Sequence, residues 1–158
     1  MRCFICGPSS GVPFFNADAF DRAELWLLTS FDTVHNPAKH REEEMHVTLR
    51  TCKHGSLIVD KNYTPAQAAN HCRHALKWDI EKLTASDVIA LLPGWEQFPY
   101  PSHLAALASM MGVARMVIPD HVVDTDPALL LPNDGEDDDF TNDPADILPI
   151  SPNAGRAA

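Results

Sequence analysis

The chain has 158 residues, 45% of them hydrophobic and 22% charged, a size and composition typical of one globular domain with its own core. Its formal net charge is −10 and it has no cluster of Lys and Arg, which argues against nucleic-acid binding, because phosphate backbones are bound by basic patches. No apolar run approaches the roughly 18 residues that a membrane-spanning helix needs, so we expect no membrane association.

The negative charge is concentrated at the C-terminal end. Ten of the 22 acidic residues follow Pro119, whereas Arg156 is the single basic residue there. Six of the 13 prolines also occur from Pro119 onward. This composition predicts a folded domain over residues 1–119 and an acidic, proline-rich tail over residues 120–158. We expect the tail to add no strand to the domain, and a partner protein is one candidate for what it contacts.

The first third of the domain alternates between strand and helix patterns. Residues 3–6 form a short apolar run that ends at Gly7-Pro8, which predicts a buried strand and a loop. Asn16 is a suitable N-cap for a helix to about residue 28, and residues 33–35 predict a second strand. Residues 38–63 are less regular. Their run of three glutamates at 42–44 is typical of a solvated face, and residues 56–59 predict a strand.

The second part of the domain has clearer signals. Thr64, Pro65 and Gln67 form a capping-box pattern for a helix to about residue 83. Its expected buried stripe comprises Ala69, Cys72, Leu76, Ile80 and Leu83. Residues 88–92 are continuously apolar, as in a parallel strand covered on both faces. A helix over 102–111, capped by Ser102, and a strand over 114–118 follow. The alternation predicts an α/β fold, a parallel sheet with helices on both faces.

Neither the cysteines nor the histidines form a convincing metal site. Cys3 and Cys6 lie on one predicted strand at an odd separation, which directs their side chains to opposite faces. His71 and His74 have a ligand-capable spacing on a helix but no fixed partner beside them. We expect no metal and no cofactor. With four cysteines in no secretory pattern and a strand starting at the N-terminus, we expect reduced thiols and a cytoplasmic protein.

Two loops are candidates for ligand binding. The turn Gly7-Pro8-Ser9-Ser10-Gly11 follows the first strand, and the segment Gly94-Trp95-Glu96 follows a later one. Ligands of open parallel sheets bind at the carboxyl ends of strands, where small residues let backbone amides approach. Trp95 could stack on a base or a sugar. The alternatives are an ordinary turn and an aromatic lid over the core.

These two loops belong to segments that resemble one family. Residues 6–13 contain the turn above and are followed by Asn16, Phe20 and Asn36-Pro37, while residues 85–96 end in the string LPGWE. Both segments are similar to small bacterial and phage relatives of the nucleoside 2-deoxyribosyltransferases. The resemblance covers about residues 1–37 and 75–118, and the middle of the chain diverges.

The resemblance implies a flavodoxin- or Rossmann-like fold that binds a nucleoside or nucleotide. It also implies that Gly7, Pro8, Ser9, Ser10, Gly11, Asn16, Gly94 and Trp95 lie at the substrate. Transferases of this family break the N-glycosidic bond with a carboxylate that attacks C1′ of the sugar, while a second acid contacts the base. They assemble as multimers, so the resemblance further implies a homo-oligomer.

The family's two acids are not both retained. Asp79, eight residues before Asp87, matches the acid that contacts the base, although an exposed helical acid is the alternative. The nucleophilic glutamate aligns with Leu104, which cannot attack a sugar, and three neighbouring positions of the motif are also changed. They are Phe98, Tyr100 and Pro101.

Three functions remain open at this point. The first is a nucleoside- or nucleotide-binding protein with lost or altered catalysis, in which Leu104 faces the cleft and deoxyribose is not transferred. The second is an active N-glycosidase or deoxyribosyltransferase that uses Glu96 and Asp79 as catalytic residues. The third is a non-enzymatic interaction protein with a vestigial pocket. The first two predict ligand binding and the third does not.

Overall fold

Four short strands form one parallel sheet in the computed structural model of the protein, which describes residues 1–123. The strands are β1 (Arg2–Cys6), β2 (Thr33–His35), β3 (Val88–Leu91) and β4 (Ala114–Val117), in the order β2-β1-β3-β4. The register places Cys3 between Val34 and Val88. The predicted parallel sheet is therefore confirmed.

Helices cover both faces of the sheet, which gives the flavodoxin- and Rossmann-like arrangement that was expected. The described residues contain α1 (Ala17–Leu27), α2 (Pro37–Met45), α3 (Leu57–Lys61), α4 (Pro65–Thr84), α5 (Pro99–Met110) and α6 (Asp120–Val123). Short 3-10 turns occupy Pro13–Asn16, Leu49–Thr51 and Trp95–Gln97.

The sheet separates two hydrophobic cores. Cys3 and Ile5 point to the core that α1 and α6 cover. Phe4 and Cys6 point to the core that α4 and α5 cover. Alternation along β1 therefore directs Cys3 and Cys6 to opposite faces, as predicted, and a shared metal is impossible for this pair.

The strand order creates a crevice beside the turn that follows β1. From β1 the chain moves outward to β2, whereas from β3 it moves in the opposite direction to β4. The connections leaving β1 and β3 therefore separate at their carboxyl ends, which is the topological switch point where open α/β sheets bind ligands.

Two elements differ from the sequence prediction. Residues 56–59 were predicted as a strand, which is wrong: Ser56 caps the short helix α3 by accepting a hydrogen bond from the Val59 amide. Helix α5 begins at Pro99, three residues before the predicted cap. The helix can begin at Pro99 because proline at the first helical position already has the helical φ. Ser102 therefore lies inside the helix, where its hydroxyl donates to the Phe98 carbonyl oxygen at 2.9 Å.

Helix α4 begins as predicted but its buried face is rotated. The capping box of Thr64 and Gln67 is present, with bonds of 2.9 and 3.2 Å. Ile80, expected in the core, is 38% exposed, whereas Asp79 is only 2% exposed. The Tyr100 hydroxyl and the Arg41 guanidinium hold Asp79 inward, and hydrophobic periodicity gives no signal for such polar contacts.

The last described element lies at the start of residues 120–158. Helix α6 (Asp120–Val123) packs against α1, and Val123 is 3% exposed. Residues 124–158, which carry most of the predicted acidic tail, lie outside the described residues. Within residues 1–123, no helix is long and apolar enough to cross a membrane.

Candidate functional site

A cleft of about 120 Å³ lies at the carboxyl edge of the sheet, at the switch point. The turn after β1 forms one side, and α2, residues 49–58, α4 and the start of α5 form the others. The lining residues are Ser9, Ser10, Gly11, Phe15, Arg41, Met45, Leu49, Gly55, Ser56, Leu57, Ile58, Ala68, His71, Cys72, Ala75, Leu76, Phe98, Pro99, Tyr100 and Pro101. Its walls are mostly apolar with a few polar groups, the usual character of a small-molecule site.

A second cavity of about 10 Å³ lies behind the cleft. Ser9, Arg41 and Tyr100 line both spaces and so form the wall between them. Asp79 and Leu104 line only the inner cavity. Asp79 and Leu104, which the sequence resemblance singles out, therefore lie on the core side of this wall.

A hydrogen-bonded network holds the wall together. The Tyr100 hydroxyl donates to Asp79 Oδ2 at 2.5 Å, and Arg41 Nη2 lies 3.7 Å from the same oxygen. Arg41 Nη1 donates to Ser9 Oγ at 3.1 Å. The network joins the β1 turn, α2, α4 and α5. It explains why an aspartate occupies a position on the buried face of α4, where an apolar residue is usual.

Burial sets the protonation of the groups around the cleft. It raises the pKa of Asp79, while Arg41 and the Tyr100 hydroxyl oppose that rise. Burial, reinforced by the Asp79 carboxylate, raises the pKa of Tyr100, so this hydroxyl is a neutral donor. Burial and the Arg41 charge lower the pKa of His71 to about 4, so its ring is neutral at pH 7. Burial also raises the pKa of the Cys72 thiol.

The turn after β1 is packed closely on its surroundings. A Cβ on Gly7 would lie 2.5 Å from Leu92 Cβ, which explains the glycine there. The Asn16 side chain donates to the Pro8 carbonyl oxygen at 3.0 Å and makes no capping hydrogen bond to α1. Asn16 therefore supports the turn rather than acting as the predicted cap, and it does not line the cleft.

A loop from the divergent middle of the chain covers this turn. The Gly11 amide donates to the Gly55 carbonyl oxygen at 3.0 Å. Gly55 has φ +65°, and a Cβ there would lie 2.1 Å from the Val12 carbonyl oxygen. Only glycine permits both this conformation and this approach.

The second predicted loop lies outside both cavities. Trp95 packs on the α5 side of the core with Arg115 at 5.7 Å from its ring, so it covers the core as an aromatic lid. Its buried Nε1 has no hydrogen-bond partner among the described residues. Glu96 is exposed, and Gly94 provides the left-handed turn before the 3-10 segment.

Sequence reasoning missed several of the residues that line the cleft. Arg41 adjoins the glutamate run that predicts a solvated face, and no local signal distinguishes it from a surface arginine. His71 has a ligand-capable spacing to His74 in the sequence, and in the structure its neutral ring lines the cleft. Phe98, Tyr100 and Pro101 depart from the motif of the family that the sequence resembles, and this departure is the sequence signal that points to them.

No family model, curated protein or solved structure matches the chain.

Proposed function

We propose that this protein binds a nucleoside or nucleotide in the cleft without transferring its sugar. One observation carries the proposal: among residues 1–123, Asp79 is the sole carboxylate lining either cavity, and it lies behind the wall, 2% exposed. The cleft is suited to hold a ligand, and it offers that ligand no carboxylate nucleophile.

The binding half of the proposal is supported by position and lining. The cleft lies at the switch point of a parallel sheet, where this class of fold binds its ligands. Phe98 and Leu57 offer apolar contact for a base or a deoxyribose ring, while Ser10 offers a hydroxyl group. Apolar walls with a few polar groups are typical of sites for flat heterocyclic ligands.

The absence of sugar transfer is supported by the two residues considered for the nucleophile, Leu104 and Glu96. Covalent glycosyl transfer needs a carboxylate within reach of C1′. Leu104, aligned with the family's nucleophile, is 4% exposed and lines the inner cavity rather than the cleft. Glu96, the alternative nucleophile, is exposed and lines neither cavity. The proposal is therefore favoured over an N-glycosidase that uses Glu96.

In this proposal Asp79 is a positioning residue. Its carboxylate accepts the Tyr100 hydroxyl and lies beside Arg41, and both of those side chains line the cleft. Loss of Asp79 would release the wall, so we expect ligand binding to depend on it without direct contact.

Ligand-dependent melting shifts test where the ligand binds. The four deoxynucleosides and their 5′-monophosphates are the probes. In Cys72→Phe the new ring fills the cleft from α4, so we expect the shift to disappear. Ala66→Phe is the matched control, because Ala66 is exposed on the same helix and does not line the cleft. An equal shift in both variants would place the ligand elsewhere.

Chromatography of the same incubations tests catalysis. We expect no free base. Release that disappears in Glu96→Ala would support the active-enzyme alternative. No shift with any probe would favour the non-enzymatic interaction protein.

A further inference from the structure

We propose that the cleft is selective for uncharged nucleosides over their 5′-monophosphates, through three features that deny an anion its usual contacts. This inference rests on the proposed function and narrows it. The three features involve different elements of the fold: the Arg41–Asp79 pair, the Gly55 loop and two prolines at the start of α5.

The first feature is a neutralised cation. Arg41 is the one Lys or Arg side chain among residues 1–123 that lines the cleft, and 13% of its side chain is exposed. Its guanidinium donates to Ser9 Oγ and lies 3.7 Å from the Asp79 carboxylate. The Arg41 charge and the Tyr100 hydroxyl both favour the charged form of Asp79. A phosphate group at Arg41 would therefore also face a buried carboxylate, and the two negative charges would repel one another.

The second feature is a closed backbone turn. Amides of a small-residue turn after a β-strand can cradle phosphate. Here the Gly11 amide already donates to the Gly55 carbonyl oxygen at 3.0 Å, and the Val12 amide donates to the Ser9 carbonyl oxygen at 3.1 Å. The Gly55 carbonyl also directs its own negative dipole toward this turn. Two donors that could hold a phosphate are thus used within the protein.

The third feature is the proline content of the α5 N-terminus. Helix N-termini bind anions through the free amides of their first turn. Helix α5 starts at the cleft with Pro99, Tyr100 and Pro101, and neither proline carries an amide hydrogen. The first turn keeps one donor of the three. The N-terminus of α5 therefore offers a phosphate group few amide donors.

Titration calorimetry on the full chain at pH 7.5 tests the inference with each deoxynucleoside and its 5′-monophosphate. We expect the monophosphate to bind at least about tenfold more weakly, which corresponds to about 1.4 kcal/mol. A 5′-O-acetyl deoxynucleoside separates charge from size, because it enlarges the same end without a charge. It should bind within about threefold of the parent nucleoside, a difference of less than about 0.7 kcal/mol.

Two variants should reduce the discrimination. Asp79→Asn removes the repelling charge while keeping the shape of the side chain. Pro99→Ala restores one amide donor at an exposed position. In each, the nucleoside-to-monophosphate affinity ratio should fall severalfold. Glu81→Gln is the control, because it removes one negative charge from the exposed face of the same helix as Asp79, and its ratio should equal that of the wild type.

Each outcome is decisive. Equal or tighter binding of the monophosphate, or equal rejection of the acetyl ester, overturns the inference and leaves the proposed function standing. Binding of neither nucleoside nor monophosphate overturns the proposed function, and the inference with it. The wild-type comparison alone suffices if Asp79→Asn fails to fold.

Discussion

At the scale of single residues, Asp79 is the position with the greatest consequences. Its carboxylate lies inside a hydrophobic core, 2% exposed, and two partners, Tyr100 and Arg41, compensate for the cost of burying it. Buried charges of this kind contribute little net stability when paired, but removing one partner leaves the other uncompensated.

We therefore expect Asp79→Ala to lower the free energy of unfolding by about 3–5 kcal/mol, because it leaves the Arg41 guanidinium and the Tyr100 hydroxyl without their acceptor. Urea denaturation measures this. Glu81→Ala, on the exposed face of the same helix, should change the free energy by less than about 0.5 kcal/mol. Similar small losses in both variants would show that the network does not organise the wall.

His71 gives a prediction about pH. Its folded pKa of about 4 lies below the ordinary value of 6.5, so between these values the unfolded chain binds a proton that the folded protein does not. Stability should therefore be lost as pH falls from 6.5 toward 4, by about 1–2 kcal/mol from this group after allowing for its partial exposure.

Urea unfolding at pH 6.5 and pH 4.5 checks this dependence. His71→Gln should reduce the loss of stability between the two pH values. His74→Gln, whose ring is 60% exposed on the same helix, should follow the wild type. A His71→Gln profile that coincides with the wild type would mean that this ring does not resist protonation in the folded protein.

At the scale of elements, the sequence was most informative where the signal is local. The Thr64 and Gln67 capping box, the buried strand β3 and the stop of α5 at Gly112 are determined by neighbouring residues, and the structure confirms all three. The strand predicted for residues 56–59 is wrong because β-branched residues favour a strand only when a sheet is available, and Ser56 caps a helix instead.

The candidate site was less accessible to sequence reasoning. Position 79 was selected through the family resemblance, but its partners Arg41 and Tyr100 come from other elements and share no periodicity with it. The Gly55 loop lies in the middle of the chain, between the two segments that carry the resemblance. Such contacts join residues distant in sequence, which local patterns do not encode.

Two glycines with left-handed backbone provide a matched test of the Gly55 loop. Gly55→Ala should cost at least about 2 kcal/mol, because a Cβ there would lie 2.1 Å from the Val12 carbonyl oxygen in addition to the strain of φ +65°. Gly112→Ala carries the strain alone, at φ +75° with no atom within 4 Å, and should cost about 1 kcal/mol. Thermal and urea denaturation compare the two variants. Equal costs would mean that the loop moves aside freely.

At the scale of the whole molecule, alternation of strands and helices was sufficient to predict the parallel sheet and its two covered faces. At the C-terminal end of the described residues, α6 (Asp120–Val123) packs on α1, beyond Pro119, where the composition of the chain changes. A four-residue helix gives almost no periodic signal.

We expect a chain that ends at Val123 to unfold cooperatively, since the acidic composition of residues 124–158 predicts no contribution to the core. A chain that ends at Pro119 should be less stable than this by about 2 kcal/mol, because it loses the buried Val123 side chain. Thermal unfolding of both chains measures the difference. Loss of the cooperative transition in the longer one would assign residues 124–158 to the folded core.

The central claim is that the cleft binds a nucleoside and leaves its glycosidic bond intact. Equilibrium dialysis with a labelled deoxynucleoside, followed by chromatography of the protein-bound fraction, tests binding and turnover in one sample. We predict saturable binding at one site per chain and recovery of the bound label as intact deoxynucleoside after prolonged incubation. Recovery of the label as free base, or as a sugar attached to the protein, would contradict the account.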